Sequence, residues 1–594
     1  MIKKLLIANR GEIACRIIRT ARRMGIQCAA VYSDADRNAL HVQMADSAFY
    51  LGASPSTASY LNAQKIIAVA THWQADAIHP GYGFLSENSD FVTQVQAAGI
   101  VFIGPDSAAI AAMGSKARAK ELMAKAGVPL LPGYHGSEQS PDLLYQEAVN
   151  MGFPLLIKAV AGGGGRGLRV VEAAENFSAA LQSVQRESLA AFADQRVLLE
   201  KYLPKARHVE VQVFADQHGN CVHLFERDCS VQRRHQKLIE EAPAPGISAD
   251  IRKQMGDTAI KAATEINYCG AGTVEFLYQD DAFYFMEMNT RLQVEHPVTE
   301  AITGLDLVEW QIRVAQGETL PLQQHEIKLN GWAMEARINA ESPQNDFMPC
   351  SGLIQSLHWP QAQDVRVDTG FRSGDRISVY YDSLLAKIIV WAPTRTQAAT
   401  KLAAVLAQTR ISGIETNSSF LRAVLESSAF LRAEVDTGFL HNHQEILQLK
   451  LSLSTLEKQL NNPVISTEQK SADHWGAFSV WRNFGQNQFS REFHVHRQPA
   501  PGHDTDVSTG GSAGTQLALK APLPGKLIAL HIKVGDKVTR GQPLLVMEAM
   551  KMEHTVKATA DCVVAEIHCA INEFLQPDQL MVEFTDPVKT AVEA

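Results

Sequence analysis

The chain has no pair of cysteines in a C-x-x-C arrangement, and its eight cysteines are scattered over 594 residues. This distribution argues against a zinc knuckle or a disulfide framework and is typical of a reducing compartment. Positive charge is not in excess either, because 55 Lys and Arg residues against 64 Asp and Glu residues give a net charge of −9. The sequence therefore carries no electrostatic footprint for nucleic acid or for an anionic membrane.

Long apolar runs are also missing. No run approaches the roughly 18 residues that would predict a membrane span, and the apolar run at 5–8 is too short for the core of a signal peptide. No Arg- and Ser-rich transit segment is present. We therefore expect a protein of the bacterial cytoplasm, without a membrane or a nucleic acid as partner.

What the chain does have is the composition of an ordinary globular protein, with 46% hydrophobic and 20% charged residues. Its length is too great for one core, so three to five domains are expected. Short strands and helices alternate over residues 1–112, which predicts a parallel, doubly wound sheet. Helices mix with antiparallel strands over 113–330, and 331–445 begins with a strand and ends with a helical stretch.

The C-terminal quarter has a different character. Residues 446–498 are too few for an independent enzyme, and 499–515 are rich in Pro, Gly, Ser and Thr, as in a mobile linker. Short strands separated by turns follow over 516–587 and predict a compact all-β module.

One lysine in that module stands out. Lys551 lies between the predicted strands 543–548 and 553–557, at the tip of a hairpin, with Met550 and Met552 on either side. A solvated surface lysine is the ordinary alternative. Exposed methionines beside a turn lysine favour a recognised site instead. The A-M-K-M sequence resembles the signature of the biotin carboxyl carrier family, whereas the related lipoyl domains usually flank their lysine with Asp and Ala. Biotin attachment at Lys551 is the prediction.

A glycine run at 162–167 follows a predicted strand, 154–159, that carries Lys158. Glycines allow backbone N–H groups to approach phosphate oxygens, and the lysine supplies a charge. The run is not a P-loop, because no G-K-[ST] follows it. On its own, a flexible loop is an equally good interpretation.

Two further predicted strands, 273–278 and 283–288, are joined by a four-residue turn. Paired as a hairpin, they bring Glu275 opposite Glu287, with Asn289 on the face of Glu287. Carboxylates so close repel each other unless a cation lies between them, and oxygen ligands suit Mg²⁺. A solvated pair at a sheet edge is the alternative, but the apolar neighbours favour a buried metal site.

Two long motifs, RDCSVQRRHQK at 227–237 and EMNTRLQVEHPVTE at 287–300, are far more specific. With them, residues 1–445 resemble a biotin carboxylase of the ATP-grasp superfamily. The resemblance implies a multidomain α/β and α+β fold. It would consist of a doubly wound pre-ATP-grasp domain, an ATP-grasp domain, an α+β C-terminal carboxylase domain and an all-β biotinyl/lipoyl-type barrel-sandwich.

The resemblance also implies a role for each matching residue. ATP would be bound by Lys116, Lys158, Gly163, Gly164, Gly165, Glu200, Lys201, Leu203, His208, Gln232 and His235. Mg²⁺ (or Mn²⁺) would be held by Glu275, Glu287 and Asn289. Bicarbonate would be bound by Arg291, Gln293 and Val294. The catalytic group would comprise Arg291, Glu295, Arg337 and Lys237.

These residue types agree with the chemistry. Bicarbonate is a poor nucleophile, and a base such as Glu295 improves it. Lysines and Mg²⁺ balance the charge that develops on the transferred phosphoryl group. The anion of the biotin ureido group needs a fixed cation, which suits Arg337.

The function implied is that of a biotin-containing α subunit of an acyl-CoA carboxylase. It would carboxylate its own biotin with ATP and bicarbonate, and a separate carboxyltransferase β subunit would pass the CO2 to an acyl-CoA. No carboxyltransferase is recognisable in this chain, and 446–515 is too short to hold one. A biotin protein ligase is the other expected partner, and 446–498 resembles a shortened subunit-docking region.

The acyl group is the least determined part of the prediction. The stretch 288–310 most resembles the methylcrotonyl-CoA branch of the family, which serves leucine degradation, with acetyl-, propionyl- and geranyl-CoA branches as alternatives. Two other hypotheses stay open. One is an ATP-grasp ligase for another substrate with a lipoyl-like module, and the other is a carrier with an inactive N-terminal unit.

Overall fold

The structure is a computed structural model that describes residues 1–160, 167–192, 194–234, 236–446, 517–549 and 552–585. Within these ranges no helix combines the length and the hydropathy needed to cross a bilayer. Apart from residue 446, the predicted docking region and linker lie outside the described residues.

The N-terminal region contains a five-stranded parallel sheet in the order β3-β2-β1-β4-β5. Its helices bury apolar residues at helical spacing, as Ile13, Ile17 and Ile18 do in α1. The doubly wound sheet predicted for this region is confirmed. The strands are β1 (Lys4–Ile7), β2 (Gln27–Ser33), β3 (Ser47–Gly52), β4 (Ala77–His79) and β5 (Val101–Phe102). The helices are α1 (Gly11–Arg23), α2 (Leu40–Met44), α3 (Ala63–Trp73), α4 (Ser89–Ala97) and α5 (Ser107–Gly114).

The central region combines a small sheet, β6-β9-β7-β8, with the first part of a large antiparallel one. Its helices are α6 (Lys116–Lys125), α7 (Pro141–Met151), α8 (Phe177–Phe192), α9 (Ala249–Glu265), α10 (His296–Thr303) and α11 (Leu307–Ala315). Its strands are β6 (Gly133–Tyr134), β7 (Leu155–Ala159), β8 (Leu168–Val171), β9 (Val197–Lys201), β10 (Arg207–Ala215), β11 (Cys221–Arg233), β12 (Gln236–Ala242), β13 (Gly270–Gln279) and β14 (Ala282–Asn289).

The C-terminal part of the carboxylase unit extends the same large sheet. Its strands are β15 (Trp332–Asn339), β16 (Glu341–Ser342), β17 (Met348–Pro349), β18 (Gly352–Leu353), β19 (Ser356–His358), β20 (Val365–Thr369), β21 (Arg376–Ile377), β22 (Leu384–Ala392) and β23 (Arg410–Ser412). Its helices are α12 (Arg395–Gln408), α13 (Ser418–Glu426), α14 (Ser428–Leu431) and α15 (Phe439–Asn442).

The large sheet has eight strands in the order β14-β13-β10-β11-β12-β15-β22-β20. Strand β12 pairs with β15, with Glu240 opposite Glu335, so one sheet continues across the predicted boundary at residue 330. One face of β15 and β22 packs against α12 and α13 in an apolar core that includes Met334, Ile388 and Leu402. Polar side chains from several of these strands can therefore converge on the opposite face.

The C-terminal module consists of two four-stranded antiparallel sheets, β24-β31-β29-β26 and β28-β27-β25-β30. They enclose a core that includes Leu527, Leu545, Met547 and Val582, all fully buried. The predicted barrel-sandwich is confirmed. Its strands are β24 (Leu517–Lys520), β25 (Gly525–Leu530), β26 (Lys537–Val538), β27 (Pro543–Ala549), β28 (Met552–Lys557), β29 (Cys562–Ile567), β30 (Phe574–Leu575) and β31 (Leu580–Thr585).

Candidate active site

The hairpin of β13 and β14 has the predicted register. Glu275 lies opposite Glu287, and the turn residues Asp280 and Asp281 take positive φ angles of 53° and 59°, as a tight two-residue hairpin loop requires. The side chain of Asn289 reaches across, and its Nδ2 donates to Oε1 of Glu275 at 2.8 Å. The three oxygen-bearing side chains are thus brought together as the sequence predicts.

The electrostatics of this pair fit a divalent cation. Burial and the charge of Glu275 raise the pKa of Glu287. Burial also opposes ionisation of Glu275, but Lys237 and His208 outweigh it and lower the pKa of that carboxyl. A cation between the two carboxylates would relieve their repulsion, and carboxylate and amide oxygens are suitable ligands for Mg²⁺.

Lys237 on β12 is surrounded by three carboxylates. Its Nζ lies 2.5 Å from Glu210, 3.0 Å from Glu275 and 2.6 Å from Glu295. Burial opposes the charge of Lys237, but the three carboxylates raise its pKa well above the usual range. Lys237 therefore stays charged and fixes the β13–β14 hairpin, through Glu275, relative to Glu295.

Glu295 is completely buried between two cations. Its Oε2 accepts from Nη2 of Arg337 at 2.8 Å, while its Oε1 accepts from Lys237. Burial would raise the pKa of Glu295, but Lys237 and Arg337 hold it well below the ordinary value. The carboxylate is therefore ionised at neutral pH and able to accept a proton. Arg337 is itself oriented by Glu240, whose Oε1 lies 2.5 Å from its Nε.

Arg291 is the second residue of the loop that connects β14 to α10. Its Nε donates to Oε2 of Glu87 at 2.8 Å, and its Nη1 donates to Oε1 of Gln293 at 3.0 Å. The amide of Gln293 in turn donates to Glu275 at 3.3 Å. A planar guanidinium held in this way suits a planar oxyanion such as bicarbonate.

A second charged cluster lies at the small sheet. Glu200 on β9 is shared by Lys120 and by Lys158, whose Nζ lies 2.5 Å from Oε2. Burial and the charge of Lys116 lower the pKa of Lys158 to about 8. Burial together with Lys158 and Lys116 lowers that of Lys120 to about 7. Two buried lysines thus share Glu200 and repel each other, so the cluster suits a polyanion such as a nucleotide phosphate.

The structure describes some of the remaining predicted site residues and not others. Lys201 donates to the carbonyls of Gly152 and Phe153 at 3.1 and 3.3 Å, so its ammonium is occupied by backbone. Leu203 is half-buried in the segment after β9. Gln232 lies opposite Lys237 in the β11–β12 register. The following predicted residues lie outside those that the structure describes: Gly163, Gly164, Gly165, His235 and Lys551.

Several site residues were missed by the sequence reasoning. Glu210 holds Lys237 and also accepts from the fully buried Arg227 at 2.6 Å, and Glu240 holds Arg337. A usable signal was present, because His208, Glu210 and Gln212 alternate along β10 with apolar residues and so share one face. Glu87 lacked any such pattern.

The hairpin of the C-terminal module is paired up to its last described residues. Met547 lies opposite His554, Glu548 opposite Glu553 and Ala549 opposite Met552. The connection consists of residues 550 and 551, which are outside the described ranges. The location of Lys551 at the hairpin tip stays a prediction, with a regular ladder leading up to it on both strands.

Four family profiles match the chain. Residues 1–110 match the N-terminal domain of biotin carboxylase, and 115–323 match the ATP-binding domain of the carbamoyl-phosphate synthase L chain. Residues 335–442 match the C-terminal domain of biotin carboxylase, and 517–584 match the profile described as "Biotin-requiring enzyme". Together they cover the carboxylase unit and the barrel-sandwich.

Whole-chain relatives are similar over almost the full length. The α subunit of mitochondrial methylcrotonoyl-CoA carboxylase from Dictyostelium discoideum is 45% identical over 97% of this chain and 95% of that protein. The propionyl-CoA carboxylase alpha chain of Ruegeria pomeroyi is 38% identical over 98% of this chain and all of that protein. Among solved structures, the biotin carboxylase domain dimer of Hydrogenobacter thermophilus 2-oxoglutarate carboxylase, in complex with MgADP, ADP and bicarbonate, is 45% identical with a TM-score of 0.73. It matches 75% of this chain and 99% of its own.

Proposed function

Because the chain belongs to the family of biotin-containing α subunits of acyl-CoA carboxylases, we propose that its two charged clusters divide one reaction between them. The chain is an ATP-dependent biotin carboxylase with a biotinyl domain, and ATP and covalent biotin are its cofactors. Alpha subunits of this kind work with a separate carboxyltransferase subunit. Both hypotheses that competed at the level of sequence are therefore discarded.

Glu295 acts on bicarbonate. Arg291 and Gln293 hold the anion in the loop after β14, and the ionised carboxylate of Glu295 takes its proton. The deprotonated oxygen then attacks the terminal phosphorus of ATP, forming carboxyphosphate and releasing ADP. The observation that carries this assignment is the pair of cations on Glu295, at 2.6 Å for Lys237 and 2.8 Å for Arg337. They keep the base charged inside the protein.

The second charged cluster, formed by Lys120, Lys158 and Glu200 with Lys116 nearby and called the lysine cluster below, binds the nucleotide. Lys116 and Lys158 contact phosphates, and Glu200 with the backbone at Lys201 and Leu203 holds the adenine. His208 and Gln232 line the ribose and phosphate region. Glu275, Glu287 and Asn289 would hold Mg²⁺, which would supply a fixed positive charge to the transferred phosphoryl group.

Biotin, held on Lys551, would supply the ureido nitrogen that is carboxylated, and the carboxyphosphate would break down with phosphate as the leaving group and acceptor of the nitrogen's proton. Arg337 is the cation that we assign to the negative charge of the ureido oxygen, because it is buried, permanently charged and already oriented by Glu240. The β27–β28 ladder, paired up to Ala549 and Met552, supports an attachment site in the connection between these two strands. Attachment requires a biotin protein ligase, and avidin blotting of wild type and Lys551→Ala tests the site, since only the wild type should give a signal.

The acyl-CoA that we propose is 3-methylcrotonyl-CoA, in leucine degradation. The similarity to methylcrotonoyl-CoA carboxylase α subunits supports it, while the propionyl-CoA carboxylase alpha chain of Ruegeria pomeroyi marks the alternative. The test uses the complex with the native carboxyltransferase subunit on a panel of acyl-CoAs. Equal or faster turnover of propionyl-CoA or acetyl-CoA would reject the assignment.

For location, we propose the bacterial cytoplasm. All eight cysteines are free, including the half-buried Cys221, Cys269 and Cys350, which suits a reducing compartment. Fractionation of the source cells with an antibody to the chain tests this proposal.

The direct test of the bicarbonate site is Arg291→Gln. Bicarbonate-dependent ATP hydrolysis should show a KM for bicarbonate raised about tenfold or more, because the variant loses a charge-assisted contact of roughly 1.5–3 kcal/mol. An unchanged KM for bicarbonate would remove Arg291 from the site.

A further inference from the structure

Lys387 is a buried cation that the mechanism above does not use. It lies in the middle of β22, whose sequence LLAKIIVWA is otherwise apolar, and it is completely inaccessible to solvent. Burying an ammonium group is costly unless it is paired and hydrogen-bonded. The contacts of Lys387 therefore have to compensate its charge.

The contacts of Lys387 join three regions of the carboxylase. Its Nζ donates to the carbonyl oxygen of Val294 in the loop between β14 and α10 at 2.7 Å. It lies 3.3 Å from Oε1 of Glu12 in the N-terminal region and 3.9 Å from Oδ2 of Asp368 on β20. An ammonium has three protons, and three acceptors from three separate parts of the chain surround this one.

The sheet register explains why the lysine points at the active site. Arg337 on β15, Lys387 on β22 and Asp368 on β20 lie directly opposite one another across adjacent strands. Their side chains therefore emerge on one face of the sheet. Arg337 reaches Glu295 from that face, and Lys387 reaches the peptide carbonyl immediately before Glu295.

Each end of this loop is held by a different region. At its start, Glu87 accepts from the backbone N–H of Thr290 at 3.2 Å and from Arg291. At its end, Lys387 fixes the carbonyl of Val294 and hence the plane of the Val294–Glu295 peptide. Glu12, which holds Lys387, also accepts from the hydroxyl of Tyr82.

We propose that Lys387 is a positioning residue for the bicarbonate site, fixing the backbone of Val294 so that Gln293 and Glu295 face the anion together. This inference rests on the proposed function of the loop. Loss of Lys387 would change the geometry of bicarbonate binding. It would leave the lysine cluster unaffected, because Lys158 and Glu200 lie on the separate small sheet. A residue that merely held the regions together would change both sites alike.

The test is Lys387→Met in the full-length biotinylated protein, assayed by bicarbonate-dependent ATP hydrolysis. The KM for bicarbonate should rise about tenfold, as for loss of a charge-assisted hydrogen bond, while the KM for ATP stays within about twofold. Lys401→Met is the matched control, because Lys401 also donates to a carbonyl, that of Trp391 at 3.1 Å, away from the loop. Equal changes in both KM values, or none, would overturn the proposal.

A second variant protects the test against misfolding. Glu12→Gln keeps the shape of the side chain but removes the charge that faces Lys387, and it should raise the KM for bicarbonate about threefold without changing the KM for ATP. If Lys387→Met does not fold, an unchanged KM for bicarbonate in Glu12→Gln overturns the proposal. Arg291→Gln separates the failure of the proposed bicarbonate site from the failure of the role of Lys387. If Arg291→Gln leaves bicarbonate binding intact, the proposed site is rejected. If Arg291→Gln weakens binding but the Lys387 and Glu12 variants do not, only the role of Lys387 is rejected.

Discussion

The two charged clusters of the carboxylase are built in opposite ways. Around Lys237, one ammonium is shared by three carboxylates, from Glu210, Glu275 and Glu295, and two of these carboxylates have an arginine as a second partner. Around Glu200, one carboxylate is shared by two lysines, Lys120 and Lys158. The carboxylates of the first cluster are therefore compensated by protein cations, whereas the two ammonium groups of the second share one partner.

The difference matches the ligand proposed for each place. The phosphates of ATP would bring negative charge to the lysine cluster, and Mg²⁺ would relieve the repulsion between Glu275 and Glu287, which contributes to the raised pKa of Glu287. The physical lesson is that the proposed base, Glu295, is held ionised by protein cations, whereas the lysines are left to be completed by a ligand. Glu241, elsewhere on the large sheet, is likewise matched by an arginine, Arg395, at 2.7 Å.

The largest effect is expected at the carboxylate cluster, from Glu295→Gln. The amide cannot accept the proton of bicarbonate, so kcat for bicarbonate-dependent ATP hydrolysis should fall by about 10²–10⁴. The KM for ATP should change little, since the lysine cluster is untouched. Steady-state assays at saturating ATP measure this.

The control for Glu295→Gln is Glu241→Gln. Glu241 is also buried, lies on the same sheet and is also ion-paired, but it faces away from the loop. It should lower thermal stability while kcat stays within about threefold. If both variants lost kcat equally, loss of a buried carboxylate would explain the result and Glu295 would not be the base.

A smaller effect is expected at the lysine cluster, from Lys158→Met. Loss of one charged contact to phosphate, worth roughly 1.5–3 kcal/mol, should raise the KM for ATP about 10–100-fold without changing the KM for bicarbonate. Isothermal titration with MgADP measures the accompanying loss of nucleotide affinity without turnover. Lys125→Met is the control, because Lys125 is an exposed lysine paired with Glu121 on α6. Weakened bicarbonate binding in Lys158→Met would contradict the division of the site into two clusters.

The local parts of this site could be predicted from the sequence. The hairpin that carries Glu275 and Glu287 follows from two strand-like runs joined by a short turn, and strand alternation places Asn289 on the face of Glu287. The turn alone does not set the pairing of the two carboxylates, because the register shifts between Glu275 and Phe276. The strand predicted before the glycine run is present as β7, and it carries Lys158. Contacts between residues that are close in the sequence can be recognised from the spacing of those residues along the chain.

The supports of the site could not be predicted in this way. Glu240 reaches Arg337, and Lys387 reaches Val294, only because β12, β15 and β22 are neighbours in one sheet. That order joins strands about 50–100 residues apart in the sequence, and no spacing rule encodes it. A lone lysine within the apolar β22 was the visible sign that such a long-range partner existed.

The smallest expected effect is a difference in pH dependence between the clusters. Burial and Lys116 lower the pKa of Lys158 to about 8, so this lysine is charged below pH 8 and loses its proton above it. Phosphate binding needs the charged form, so the KM for ATP should rise several-fold between pH 7 and 9. Glu295, whose pKa is well below its ordinary value, does not titrate in that range.

Lys158→Arg tests whether this proton is responsible, because a guanidinium keeps its charge throughout the range. Its KM for ATP at pH 7 can be higher, since the geometry changes, but the rise between pH 7 and 9 should flatten. Lys120, with a pKa lowered to about 7, would leave only a residual slope at the lower end. The KM for bicarbonate, corrected for carbonate formation, should be flat in both proteins. Identical pH curves for the KM for ATP in wild type and Lys158→Arg would mean that Lys158 is not the group whose proton controls nucleotide binding.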